Sequence, residues 1–133
     1  MKNTMYNPSF NIVCTTIGRE SLPRLIDSFK NQLLPNDTFT IISDTNHEFV
    51  KNVLSNYNFN FKLNHIINDG EVLGKYGHPL LNKHINNLEG DFIMFADDDD
   101  YYVDDAFKII RKYVVEKKLY VFKHKWGDTI NWT

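Results

Sequence analysis

A single cysteine, Cys14, stands in the 133 residues. No disulfide framework can hold such a chain, and a reducing compartment, the cytoplasm, is the expected location. No apolar run approaches the roughly 20 residues that a membrane span requires, and the polar opening MKNTMYNPSFN does not read as a secretory leader. Basic and acidic residues nearly balance, 15 against 17, so the global positive field that attracts nucleic acid is missing. The six glycines form neither a Gly-x-Gly-x-x-Gly fingerprint nor a Walker-type phosphate loop. The length fits one domain, 1–133, large enough to bury a real core.

What is present is a regular alternation of apolar patterns. FNIVCT (Phe10 to Thr15) is a continuous apolar run, as expected of a strand covered on both faces. ESLPRLIDSFKNQL places Leu22, Leu25, Ile26, Phe29 and Leu33 at helical spacing, with Ser21 as N-cap and Pro23 in the tolerant first turn. TFTIIS reads as a strand and HEFVKNVLSNY as an amphipathic helix. FNFKLNHII alternates like a third strand and stops at the turn signal NDG. Pro79 can open a third helix carrying Leu80, Leu81, His84, Ile85 and Leu88, which Gly90 can close. DFIMFA is a fourth strand, a helix follows around Asp104 to Lys117, and LYVFKHKWGDTINWT reads as two strands about a turn at Gly127–Asp128. Strand–helix alternation of this kind implies an α/β fold: a single open, mainly parallel sheet flanked by helices, with an antiparallel edge strand at the C-terminal end.

Ligands of such sheets bind beyond the carboxyl ends of the strands. That rule gathers Thr15, Thr16 and Arg19 after the first strand, Asp44 after the second, and Asp97 to Asp100 after the fourth. Four consecutive carboxylates repel one another at a cost in stability, so a compensating cation is one reading and a solvated acidic turn capping the next helix is the other. An EF-hand is excluded, because Tyr101 and Tyr102 stand where a ligand and the turn glycine belong. A phosphate-receiver domain would need an acidic pair where this chain has CTTIGR. On an extended segment Asp97 and Asp99 share one side and Asp98 and Asp100 the other; a pair of hard oxygen ligands suits Mg²⁺ or Mn²⁺ also bound by substrate phosphates. Cys14, with no motif around it, reads as packing.

The stretches FNIVCTTIGRESLPRLIDSFKNQ, IISDTNHE and YGHPLLNKHINNLEGDFIMFADDDDYYVDDAF together resemble the nucleotide-sugar half of a family-two-like glycosyltransferase of GT-A fold, over about residues 10 to 124. The resemblance implies a metal-dependent transfer of a sugar from a nucleotide-diphosphate sugar to an acceptor. It implies that Asp97 lies near the ribose and the metal, and that Asp99 holds a Mn²⁺ or Mg²⁺ ion bridging the diphosphate, with Asp98 in the same donor site. Asp44 would touch the nucleobase, and Thr15, Thr16 and Arg19 would cradle the nucleoside. Lys75, in GKYGH, can reach the diphosphate or stand as a flexible-loop lysine; His78, at a helix start, reads first as a structural hydrogen-bond group and otherwise as a contact to phosphate or Asp97; Asn82, one turn into that helix, can brace the aspartate loop. A UDP-sugar is favoured by family frequency alone.

Members of that family continue well past the metal motif into an acceptor-binding part, which this chain is expected to lack; Asp128 and His124 are the only residues after Asp105 resembling a general base. The alternative function is therefore a non-catalytic nucleotide or nucleotide-sugar binding module that acts with a partner. The apolar TINWT end, read as an exposed edge strand, predicts self-association.

Overall fold

The computed structural model describes residues 7–114 and 116 and, for the backbone alone, 123–126 and 129–132. Four parallel strands, β1 (Phe10–Thr16), β2 (Thr38–Ser43), β3 (Lys62–Ile67) and β4 (Phe92–Asp97), form one sheet in the order β3-β2-β1-β4. β1 lies inside, paired with β2 from Asn11↔Thr38 to Thr16↔Ser43 and with β4 from Phe10↔Phe92 to Thr15↔Asp97. Its near-continuous burial explains its unalternating sequence: a parallel strand covered on both faces has no solvent side. The C-terminal strands β5 (Lys123–Trp126) and β6 (Thr129–Trp132) pair antiparallel in a separate two-stranded sheet. Their side chains and the expected turn at Gly127–Asp128 lie outside the described residues, as does any self-association through this end.

Helices α1 (Leu22–Phe29), α2 (His47–Ser55) and α4 (Ala106–Tyr113) cover one face of the sheet. The apolar stripe of α1, Leu22, Leu25, Ile26 and Phe29, is wholly buried, its i, i+3, i+4, i+7 spacing laying one side on the sheet. Phe29 is the centre of the aromatic packing, against Phe39, Phe61, Tyr102 and Phe107. Cys14 is buried in the same layer; burial, and then the negative charge of Asp98 and its neighbours, pushes the thiol well up, so it packs as a neutral group. Helix α3 (His78–His84) covers the other face with Leu80 against Val13 and Ile42. The helices are shorter than their apolar patterns suggest: α1 stops at Phe29 and α4 begins at Ala106. Ser21 occupies the N-cap position without capping; its hydroxyl is used elsewhere.

The amino ends of the strands are held by Asp37, which the sequence pattern did not single out. Its buried carboxylate accepts from the Phe10 amide (2.9 Å), the Leu34 amide (2.7 Å) and the Arg111 guanidinium of α4, and its carbonyl accepts from Lys62 (3.1 Å). Arg111 also lies over the Phe10 ring at 4.8 Å. One residue thus joins β1, the approach to β2, the start of β3 and α4. Removing one partner of a buried ion pair strands the other charge, so Asp37→Ala is expected to cost about 3–5 kcal/mol, measured by urea unfolding, with Asp37→Asn less damaging.

Candidate functional site

The connections of the sheet reverse at its middle. From β1 the chain steps outward through β2 to β3, then returns across the sheet to β4 on the other side of β1. Such a reversal leaves a crevice at the carboxyl ends of the two diverging strands, here β1 and β4, where Thr15 and Thr16 face Asp97 and its followers.

β4 ends at Asp97 and the chain turns at once. The Asp100 amide donates to the Asp97 carbonyl (3.0 Å), and the Asp97 amide to the Asp100 carboxylate (3.0 Å). The turn breaks strict alternation. Carboxylate oxygens of Asp97, Asp99 and Asp100 come within 4.8 Å of one another, the first two exposed and the third half-buried. Asp98 points the opposite way, into the protein. Asp100, which alternation assigns to the Asp98 side, therefore joins Asp97 and Asp99. Three hard oxygen donors suit Mg²⁺ or Mn²⁺; opposite ligands of an octahedral Mg²⁺ stand about 4.2 Å apart, so a small contraction of this group would suffice.

Asp98 is bound on all sides by the β1–α1 segment. Thr16 Oγ1 donates to Asp98 Oδ2 (2.7 Å) while accepting from the Gly18 amide (3.0 Å), and Arg19 Nη1 reaches Asp98 Oδ1 at 3.1 Å. The Ser21 hydroxyl donates to the Asp98 carbonyl (2.8 Å), which is why it cannot cap α1. Arg19 extends its other nitrogen to Asp99 (3.5 Å), and Arg24 donates to the Asp99 carbonyl (3.0 Å) while covering the Tyr101 ring. Thr16, Arg19 and Asp98 are brought together as expected, but as partners of one another.

Asp44 forms the opposite wall, beyond β2. Asn68 Nδ2 donates to its Oδ1 (2.7 Å), the Leu73 amide to both oxygens (3.0 and 3.1 Å) and the Gly74 amide to Oδ2 (2.8 Å). Burial pushes its pKa up, but these bonds from Leu73, Gly74 and Asn68, with the charge of nearby His47, outweigh it and hold the carboxyl below 3.8. Its acceptor positions are filled by the chain itself, a feature visible only once residues 68–74 are seen folded back over it. Residues Gly74, Lys75, Tyr76 and Gly77 all have positive φ, a left-handed turn that is costly for the two non-glycines. Gly77 is required there sterically: a Cβ would lie 2.0 Å from Thr15 Oγ1. The turn, Thr15, Thr16, Ile17, Arg19, Asp44 and Asp98 line an open cleft of about 230 Å³. Lys75 lies on this lining, whereas His78 and Asn82 are exposed and, among the described residues, form no side-chain hydrogen bond.

Beside Asp44, the buried Ser43 hydroxyl bridges His47 Nδ1 (2.7 Å) and His65 Nε2 (2.9 Å). One hydroxyl proton serves one ring, so the other ring must donate. Burial, then the charges of His47 and Lys51, lowers the pKa of His65 below 6.5.

A family model described as Glycosyl transferase family 2 matches residues 11–127. Among solved structures, the fold is similar to residues 1–349 of TarS from S. aureus, with TM-score 0.68 and 18% identity over 80% of this chain and 32% of that one. The same fragment in complex with UDP-GlcNAc gives 0.66 and 20%, over 80% and 31%. Mannosyltransferase PcManGT from Pyrobaculum calidifontis, in complex with GDP-Man and Mn²⁺, gives 0.69 and 14%, over 85% and 34%. At these identities the likeness is one of fold, and the chain spans about a third of the TarS fragment and of PcManGT. No curated protein sequence matches the chain.

Thr16→Val keeps the shape of the side chain but removes a hydrogen bond to a buried carboxylate. It should lower stability by about 1.5–3 kcal/mol in chemical denaturation. Stability should also respond to the histidine pair. Because folding depresses the His65 pKa, the unfolded chain takes up the proton first, so this contribution is complete above pH 6.5 and declines as the pH falls from there through the folded pKa. Asp44, depressed below 3.8, keeps its contribution through that window and loses it only in stronger acid. The melting temperature is expected to fall on acidification below pH 6.5, and His65→Gln to flatten that part of the profile.

Proposed function

The chain belongs to glycosyl transferase family 2, and on that premise we propose that it forms the donor site of a metal-dependent sugar transferase acting on a nucleotide-diphosphate sugar. The observation that carries this reading is the convergence of Asp97, Asp99 and Asp100 at the reversal point of a parallel sheet, beside an open cleft. Asp97 and Asp99 would hold the ion, with Asp100 as a third donor. A divalent cation there supplies Lewis-acid stabilisation of the charge that develops on the departing diphosphate. The bound states of the relatives, UDP-GlcNAc in one and GDP-Man with Mn²⁺ in the other, support the donor class.

In the transfer, the bond from the anomeric carbon to phosphate oxygen breaks and a bond to an acceptor oxygen forms, the acceptor's proton passing to a base. The sequence candidates for that base, His124 and Asp128, have side chains outside the described residues. Lys75, on the cleft lining, would meet phosphate charge. Thr15 would face the ligand, while Thr16 and Arg19, bonded to Asp98, would hold the acidic turn in register. Asp44 can accept from a base N–H only after the Leu73 or Gly74 amide lets go. No helix among the described residues is long and apolar enough to cross a membrane; a cytoplasmic location, in keeping with the single thiol, belongs to the same proposal.

Calorimetric titration with UDP and GDP, in Mn²⁺ and in EDTA, tests the reading. Binding that requires Mn²⁺ and weakens at least about tenfold in Asp99→Asn, the loss of about 1.4 kcal/mol, is the expected outcome. No binding of either nucleotide with Mn²⁺ would refute it. Binding without donor hydrolysis or transfer would favour the second reading, a donor-binding module that acts with a partner.

A further inference from the structure

A second hollow lies at the opposite end of the sheet from the acidic turn. Helices α1 and α2 run back from the carboxyl ends of β1 and β2 and finish side by side, with C-caps at Lys30 and Asn56. The connection 56–60 then leads into β3. Around these ends an open hollow of about 290 Å³ is lined by Lys30 together with Asn31, Asn56, Tyr57, Asn58, Phe59 and Asn60. The seven residues of β1 put roughly 20 Å between it and the cleft.

Four asparagines in one lining call for an explanation. In a connection, asparagine usually serves a left-handed backbone or bonds its amide to the nearby chain. Neither holds for these four: none has a positive φ, and none of their side-chain amides is bonded among the described residues. Each leaves two N–H donors and an acceptor oxygen beside the hollow. The aromatic wall is fixed at both ends. Tyr57 and Phe59 stack at 5.3 Å with their planes 8° apart, and Phe59 meets the buried Phe61 at 4.7 Å. The Tyr57 hydroxyl donates to Asp27 (3.0 Å). Burial, then this bond, pushes its pKa up to about 12, so the ring stays neutral.

Charge narrows the class of ligand. Lys30, the one charged residue of the lining, already pairs with Asp27 at 3.4 Å and lies 5.2 Å from the centre of the Tyr57 ring. Two helix C-termini bring the negative ends of their dipoles here, which disfavours an anion, and no carboxylate lines the hollow to hold a metal. What fits is a neutral molecule whose rim both donates and accepts hydrogen bonds and whose face is apolar. We infer that this hollow binds a neutral saccharide, its hydroxyls paired with the amides of Asn31, Asn56, Asn58 and Asn60 and its C–H face against Tyr57 and Phe59. The negative face of an aromatic ring attracts C–H groups. The size lies at the lower end for ligand pockets, roughly 300 Å³, and suits a mono- or disaccharide unit. The site is separate from the donor cleft and does not depend on it.

The test follows amide NMR signals of the isotope-labelled full chain during titration with maltose, cellobiose, mannobiose and chitobiose. At least one sugar is expected to give saturable shifts in the four side-chain amides and in the backbone of 56–60, while the signals of 97–100 stay in place. Inorganic phosphate and a capped alanine peptide should shift none of them. Asn58 and Asn60 are exposed, so the double variant Asn58→Ala with Asn60→Ala keeps the fold, seen as unchanged signals elsewhere. It should weaken the bound sugar at least about tenfold. No saturable shift at the hollow with any of the four sugars, or shifts confined to 97–100, would overturn the inference. Equal binding of phosphate or of the peptide, or undiminished sugar binding by the double variant, would overturn it as well.

Discussion

The site hangs on one carboxylate taken out of water. Burying a charge is costly unless polar partners replace its hydration, and Asp98 finds its partners, among the described residues, at the end of β1 and in the segment that leaves it: the Thr16 hydroxyl and Arg19 on its carboxylate, Ser21 on its carbonyl. That arrangement ties the two strands that diverge at the reversal point. It also decides where the other aspartates go. With Asp98 turned inward and the chain closing into a turn, Asp97, Asp99 and Asp100 are left converging on the outside. The repulsion within the run is shared out, because the Arg19 guanidinium lies against both Asp98 and Asp99.

Much of this architecture was legible in the sequence, for identifiable reasons. The strands were readable because parallel strands covered on both faces are continuous apolar runs, and α1 because its buried stripe keeps the helical period. The assignment of polar residues to one crevice followed from the strand-end rule and needed no contact information. The rest depends on pairings distant in the chain. Ser21 looks like a cap from its neighbours, and only Asp98, 77 residues away, shows what its hydroxyl does. Asp100 joins the acidic group because a turn replaces the extended geometry on which alternation relies. Asp37 carries no local motif; its role appears when Arg111, 74 residues on, packs beside it. The left-handed turn at 74–77 was hidden too, since Lys75 and Tyr76 are not residues that announce positive φ.

The carboxylates of this chain therefore divide by what satisfies them. Asp37 answers to a guanidinium and amides, Asp98 to a hydroxyl and a guanidinium, and Asp44 to amides together with the charge of nearby His47. Each of the three is buried and each joins segments remote in sequence, so their charges organise the backbone and are already compensated. Asp97 and Asp99 are exposed; Arg19 reaches the Asp99 carboxylate and Arg24 its carbonyl. Local clustering alone would be an ordinary acidic turn. The proposed ion site rests on its place at the reversal point: the bonds to Asp98, which itself lines the cleft, leave the other three carboxylates gathered beside it. Rigidity and ligand affinity are in this sense not competing demands on the aspartate run. Giving up one carboxylate to the interior orients the other three, and an ion entering among them would meet donors already gathered.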